Sequence, residues 1–255
     1  MSGQSIFITG AASGIGKATA SLFAEAGWRV GLCDIDAGRL ADVATRLGNT
    51  ASVHLADVCD PEALSVALEA FARHGGLDVM FNCAGILEMC EFADCSLESM
   101  HRIVDVNVKG VINGIHLALP HLRNRTDPRV ISMSSVAAIH GIPEEAVYSA
   151  SKTAVRALTE ALNIELEPAG IWVCDLMVAY VATPMVLAAQ ERAKSVDILG
   201  VNVAPEQVAQ TVWKAVHGRQ VHWFVTPEDE AVAAQVDVTP WEQRREMIKQ
   251  ITGFA

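Results

Sequence analysis

Thr9-Gly10-Ala11-Ala12-Ser13-Gly14-Ile15-Gly16 follows the apolar run Ile6-Phe7-Ile8. It precedes a helical pattern in which Ile15, Ala18, Leu22, Phe23 and Ala26 share one face and Gly27 is the stop. A strand, a glycine turn and a helix in that order open a βαβ unit. Glycines ahead of a helix N-terminus allow close backbone approach and present free N–H groups, which is what a pyrophosphate needs. The spacing is GxxxGxG rather than GxGxxG. It is not a triphosphate-binding loop either, because Ala18 follows Lys17 where that loop requires Ser or Thr.

Outward from this turn, apolar runs alternate with helical segments. Arg29 to Cys33 reads as a second strand closed by Asp34, Ala51 to Ala56 as a third and Leu77 to Phe81 as a fourth, with a helix from Pro61 between the last two. A long helix is predicted from Leu97 to Asn124, then a strand from Arg129 to Met133 and a helix from Tyr148 to Glu167. Ile171 to Val178, a helix after Pro205 and Val221 to Val225 complete the pattern. Strands apolar on both faces and separated by helices form a parallel sheet covered on both sides. Right-handed crossovers make this a doubly wound α/β fold, a seven-stranded Rossmann sheet in a single domain spanning residues 1–255. Two stretches break the rhythm. Thr183 to Asn202 reads equally as a substrate lid or a surface helix pair, and the tail from Pro227 to Ala255 as a packing element or a subunit contact.

The chain has 255 residues, 51% hydrophobic and 19% charged, enough to bury a core and too apolar for disorder. A formal charge of −11 argues against nucleic acid and anionic membrane surfaces as partners. No apolar run reaches membrane-spanning length, and the start MSGQSIFITG lacks a basic region, so a cytoplasmic protein is expected. The six cysteines, Cys33, Cys59, Cys83, Cys90, Cys95 and Cys174, form no CxxC pair, so reduced thiols and no metal site are expected.

Asp34, at the end of the second strand, can accept hydrogen bonds from the adenosine ribose hydroxyls of a dinucleotide. The alternative is a cap on the next helix, for which Asp36 is better placed. A carboxylate there repels the extra phosphate of NADP, and no compensating cation is evident: Ser13 is not basic, Ile35 follows Asp34, and Arg39 is a helical turn or more away. NAD is therefore expected over NADP.

Tyr148-Ser149-Ala150-Ser151-Lys152 sets a Tyr and a Lys on one helix face. A free phenol titrates near 10, too high for an efficient base at neutral pH, and a neighbouring ammonium lowers it. A serine hydroxyl from Ser134 or Ser135, at the end of the preceding strand, can hold an oxygen whose charge changes during hydride transfer.

With these motifs together, the chain resembles the short-chain dehydrogenase/reductase family, in its branch of roughly 250 residues, over essentially its whole length. Thr9 to Gly16 matches TGxxxGxG, Asp57-Val58 the adenine-contacting pair, and Asn82-Cys83-Ala84-Gly85 the NNAG segment with Cys at its second position. Asn107 matches the helical asparagine, Ser135 the serine before the tyrosine, and Tyr148 with Lys152 the YxxxK pair. The resemblance implies Tyr148 as general acid/base and Lys152 as the group that lowers its pKa and binds the nicotinamide ribose. It implies that Ser135 positions the substrate oxygen and that Asn107 holds a water linking Lys152 to solvent. The implied cofactor contacts are Gly10, Ser13, Gly14, Ile15, Gly16, Asp34, Ile35, Asp57, Val58, Asn82, Ala84, Gly85, Tyr148, Lys152, Val181 and Thr183. A homotetramer is implied as well, with the two long helices at a dimer contact.

One departure stands out. Val178-Ala179 replace the family's usual Pro-Gly, which is expected to alter affinity for substrate or cofactor. The expected pocket comprises Leu87, Ala137, His140, Ile142, Val178, Ala179, Tyr180, Met185, Val186 and Leu187, mostly apolar and suited to an uncharged alcohol or ketone, cyclic and aromatic ones included. His140 is expected to be a loop hydrogen-bonder, and Glu88, Glu144 and Glu145 solvated loop carboxylates. The leading expectation is an NAD-dependent dehydrogenase of secondary alcohols. A nonredox epimerase or dehydratase retaining NAD, and a noncatalytic NAD sensor, are the alternatives.

Overall fold

Ile6 and Ile8 pack into one apolar cluster and Phe7 into another, and all three are completely buried, so their strand needs cover on both faces. In the computed structural model, which describes residues 3–255, that strand is β1 (Ser5–Thr9). The chain continues through α1 (Gly14–Glu25), β2 (Arg29–Asp34), α2 (Ala37–Leu47), β3 (Ala51–Leu55), α3 (Pro61–Ala72) and β4 (Val79–Asn82). Next come α4 (Leu97–Val104), α5 (Gly110–Leu122), β5 (Arg129–Met133), α6 (Ala146–Glu165) and β6 (Trp172–Met177). The last elements are α7 (Pro184–Leu187), α8 (Lys194–Leu199), α9 (Pro205–His217), β7 (His222–Phe224), α10 (Pro227–Val238) and α11 (Trp241–Thr252).

The seven strands form one parallel sheet in the order β3-β2-β1-β4-β5-β6-β7, the doubly wound arrangement. On one face Phe23, Trp28, Val208 and Val212 close over Ile6, Ile8 and Leu32; on the other, Leu64, Phe71, Ile115 and Val155 close over Phe7 and Met80. The order reverses between β1 and β4, so the loops leaving these strands diverge and open a crevice at the carboxyl edge of the sheet. Thr9 pins its two walls together: its Oγ1 accepts from the N–H groups of Cys83 (3.0 Å) and Ala84 (3.1 Å).

Several boundaries differ from expectation, each for a local reason. The long helix expected from Leu97 to Asn124 is interrupted by a π-turn at Asp105–Lys109 and stops at Leu122. β4 starts at Val79 rather than Leu77, because the Asp78 carboxylate takes the Ser5 N–H (2.8 Å) and ties down the strand entrance. α6 starts two residues early, at Ala146. Thr183 to Asn202 carries the short helices α7 and α8, and the tail folds into α10 and α11, the latter resting on α8 where Phe254 lies 4.0 Å below the Lys194 ammonium. The expectation of six reduced thiols is corrected: Cys90 and Cys95, whose Cα atoms are 5.8 Å apart, are joined in a disulfide, while Cys33, Cys59, Cys83 and Cys174 are free. No described helix is long and apolar enough to cross a membrane.

Candidate active site

The glycine turn is built by exclusion. A Cβ on Gly16 would lie 2.2 Å from the Gly10 carbonyl oxygen, and one on Gly10, at φ +69°, would lie 2.9 Å from the Ala84 backbone. With no side chains there, a groove of about 440 Å³ opens over the start of α1. Gly10, Ser13, Gly14, Ile15, Gly16, Asp34, Ile35, Asp57, Val58, Ala84, Gly85 and Thr183 line it, so most of the expected cofactor contacts share one surface. Asn82 does not. It lies beneath the floor, 2% exposed, its Nδ2 on Ser132 Oγ (3.4 Å) and its Oδ1 without a partner among the described residues.

Asp34 is held at the rim of this groove rather than at a helix cap. Its two oxygens accept from the Ala12 N–H (3.1 Å) and the Asp36 N–H (3.1 Å), while Asp36 caps α2 by accepting from the Arg39 N–H (2.9 Å). Arg39, expected to lie too far away, lines the same groove from the first turn of α2. Its guanidinium is exposed and paired with Asp36 at 3.2 Å. Arg102, also unforeseen, reaches Asp57 at 2.9 Å and closes the adenine end. A Cβ-free cradle, helix N–H groups and a carboxylate at the ribose position fit a dinucleotide.

The groove runs into a second cavity of about 80 Å³, the two sharing Ile15, Cys83, Gly85, Thr183 and Met185 as walls. Ser135, Tyr148, Lys152, Val178, Ala179, Tyr180, Val181, Leu87, Ile142, Met185 and Val186 line this cavity. Ala137, His140 and Leu187 do not: Ala137 is fully buried behind the wall, and Leu187 is 54% exposed. His140 Nδ1 is buried without a partner among the described residues, and burial holds the His140 pKa below the ordinary value.

Along α6 one helical turn brings Tyr148 and Lys152 to the same wall, with the Lys152 Nζ 5.5 Å from the Tyr148 ring centre. The Lys152 ammonium donates to the Met133 carbonyl at 2.8 Å, and burial lowers its pKa to about 8. Burial pushes the Tyr148 phenol upward, the Glu145 charge adds to this, and the Ser135 hydroxyl opposes it. Ser134 and Ser135 are distinguished by their partners. Each hydroxyl donates to a carbonyl at 3.3 Å, Ser134 to Lys152 and Ser135 to Val178, but Ser135 also opens the turn Val136–Ala138, accepts from the Ala137 N–H (3.1 Å) and faces Tyr148.

Asn107 sits in the π-turn, fully buried. Its Oδ1 accepts from the Ile86 N–H (2.9 Å), and its Nδ2 donates to the Ile86 carbonyl (2.9 Å) and to Ser151 Oγ (3.1 Å). The π-turn thus points the amide at the backbone beside Gly85, where a Cβ would lie 3.7 Å from Lys152 Nζ. Val178-Ala179 do not strain the chain: Ala179 is not among the residues with positive φ, and its N–H is taken by the Asp229 carboxylate (3.3 Å) from α10. Glycine is not required there.

The feature most at odds with the sequence reading is Glu145. It is 2% exposed rather than solvated, it lines the second cavity, and burial raises its pKa to about 7. Its neighbour Glu144 does stay at the surface, accepting from the Lys194 N–H (2.7 Å), and the disulfide loop is stitched to the same segment through Cys90 N–H to the Glu144 carbonyl (2.9 Å). Leu199 of α8 completes the far wall, another residue the spacing did not single out.

Residues 4–195 match the family described as short chain dehydrogenase. The chain is 35% identical to the cyclohexanol dehydrogenase of Acinetobacter sp. (strain SE19) over 80% of its own length and 84% of that protein. It is 32% identical to the oxidoreductase UcpA of Escherichia coli (strain K12) over 87% of its length and 83% of that protein. Among solved structures it superposes on a 3-ketoacyl-(acyl-carrier-protein) reductase from Brucella melitensis complexed with NADH, at a TM-score of 0.80, 29% identity, and coverage of 88% of this chain and 96% of that one. The fold is also shared with a short chain dehydrogenase/reductase from Burkholderia phymatum in complex with NAD, at a TM-score of 0.84, 24% identity, and coverage of 96% and 95%. On its sequence, its sheet and these relatives, the chain belongs to the short chain dehydrogenase family of oxidoreductases.

Proposed function

We propose that the protein is an NAD-dependent dehydrogenase of secondary alcohols, equally a ketone reductase, using Tyr148 as its general acid/base. The observation that carries this reading is the junction of the two cavities: the glycine groove opens, through Ile15, Cys83, Gly85, Thr183 and Met185, onto a pocket holding Ser135, Tyr148 and Lys152. NAD, when bound, supplies the acceptor for the carbon-bound hydride. The chain supplies everything else. Ser135 holds the substrate oxygen, and the Tyr148 hydroxyl gives a proton to a carbonyl or takes one from an alcohol. Lys152 carries positive charge at neutral pH and, from the same wall, favours the phenolate that forms when Tyr148 gives up its proton. Asn107, its amide committed to Ile86 and Ser151, acts as a brace for the backbone beside Gly85.

The largely apolar walls Leu87, Ile142, Met185 and Val186 support an alcohol carried on a hydrocarbon frame, in keeping with the cyclohexanol dehydrogenase relative. Asp34, fixed by two N–H groups, supports NAD over NADP, and the Arg39 charge beside it is engaged by Asp36. Leu97, Ile112 and Ile164 leave apolar surface on α4, α5 and α6, which supports the homotetramer. Absorbance of NADH during incubation with NAD and a panel of secondary alcohols tests the reading. Turnover with NAD exceeding that with NADP is expected; turnover with neither cofactor across cyclic, aryl and aliphatic alcohols would refute it.

A further inference from the structure

Three polar side chains from separate elements meet behind the candidate pocket. Glu145 precedes α6, Tyr180 follows β6, and Ser195 lies on α8, and they are 2%, 6% and 1% exposed. The Tyr180 hydroxyl donates to Glu145 Oε1 at 2.6 Å and lies 2.7 Å from Ser195 Oγ. With the phenol proton given to the carboxyl, Ser195 is the donor to Tyr180, so both hydrogen bonds run toward Glu145. The other carboxyl oxygen, Oε2, has no hydrogen-bond partner among the described residues and is not one of their fully buried unpaired atoms, so it stays open to a donor. Glu145 and Tyr180 line the same small cavity as Ser135 and Tyr148, whose remaining walls are largely apolar.

A carboxylate oxygen that a bound ligand cuts off from water loses a hydrogen bond unless the ligand supplies a donor of its own. A site built this way discriminates strongly against a ligand that lacks the donor, because the ligand then leaves the carboxyl unpaired. Glu145 precedes Tyr148 by one helical turn, so the second recognition point is close to the reacting carbon. We infer that Glu145 accepts a hydrogen bond from a second donor on the substrate, so that the preferred alcohols carry a further hydroxyl or amine on a neighbouring carbon rather than a single hydroxyl on a hydrocarbon. This rests on the dehydrogenase reading and narrows its substrate class to diols and amino alcohols. Tyr180 and Ser195 serve as positioning residues that hold the Glu145 carboxyl in one orientation.

The test compares trans-1,2-cyclohexanediol with its monomethyl ether, which keeps the shape but replaces the second donor by an acceptor. Turnover with NAD is measured for the wild type and Glu145→Gln, and each alcohol is also titrated calorimetrically into the NAD-saturated protein. At about pH 8.5, above the Glu145 pKa of about 7, the wild type is expected to favour the diol by about tenfold or more, the range of one hydrogen bond to a charged acceptor. In Glu145→Gln the amide oxygen keeps the Tyr180 bond and the amide N–H₂ faces the cavity, so the preference moves toward the ether. Equal binding of the two alcohols by the wild type, or an unchanged preference in Glu145→Gln, overturns the inference. Turnover without diol preference overturns it while leaving the dehydrogenase reading intact. Binding with diol preference but no turnover upholds the recognition site and overturns the dehydrogenase reading.

Discussion

The two cavities that meet at Ile15 and Thr183 are made in different ways. The cofactor groove is a backbone object: glycines at 10 and 16 keep it open, N–H groups at the head of α1 face it, and its one anchoring carboxylate, Asp34, is itself held by N–H groups. The candidate substrate pocket is a side-chain object, assembled from Leu87, Tyr180, Leu199 and, at the head of α6, Glu145 and Tyr148, segments that meet only through the topology. A surface made of backbone tolerates little change and serves one ligand. A surface made of side chains can be rewritten at each position while the sheet beneath stays as it is.

The largest effect expected to separate the two regions is a stability difference centred on Glu145. Its folded pKa is about 7 against an ordinary 4.5, so the stability tied to its protonation is fully present below pH 4.5 and is lost as pH rises through 7. Urea unfolding of the wild type and Glu145→Gln at pH 4.5 and pH 8 should show the wild type losing up to about 3 kcal/mol relative to the variant. Equal pH profiles would return Glu145 to the class of solvated carboxylates. Next in size, Gly16→Ala places a methyl against the Gly10 carbonyl oxygen, and NADH titration should show binding weakened by about tenfold or more with the pocket side chains unaltered. Unimpaired binding would mean that the groove is not held open by exclusion.

Asp34→Asn keeps the shape but removes the charge at the ribose position, and should lower the NAD-to-NADP ratio of kcat/KM by roughly tenfold, read by initial rates with each cofactor. A ratio that stays constant would move the selectivity to Arg39. The smallest effect is expected for the double variant Val178→Pro, Ala179→Gly. Ala179 has no positive φ and its N–H is already engaged by Asp229, so kinetic constants should change by less than about twofold. A larger change would show that this turn shapes the pocket more than its conformation indicates.

The same contrast governs what the sequence discloses. The groove is legible because its determinants are contiguous: the turn Thr9 to Gly16 carries its own spacing, and Asp34 closes the next strand. Strand order and the two-faced core follow from apolar runs such as Ile6-Phe7-Ile8. The Tyr148 and Lys152 pair is legible for the same local reason, one turn of one helix. Glu145 was not, because Glu144 and Glu145 look alike in a loop and only the arrival of Tyr180 and Ser195 from α8's side buries one of them. Arg39 and Arg102 were missed because their reach depends on how α2 and α4 lie across the groove. The π-turn around Asn107 leaves no periodicity signal, since one inserted residue shifts the pattern of a five-residue stretch by less than a turn. The Cys90 and Cys95 pairing likewise depends on a loop path that the spacing did not reveal.

The central claim is that the groove binds the dinucleotide independently of the pocket, where Tyr148 moves the proton. Its most direct test is one preparation of Tyr148→Phe examined twice, by NADH fluorescence titration and by NAD-dependent turnover of an alcohol that the wild type oxidises. NADH affinity within about threefold of wild type, together with turnover reduced by roughly 10²- to 10⁴-fold, is the predicted result. Turnover equal to wild type would contradict the account.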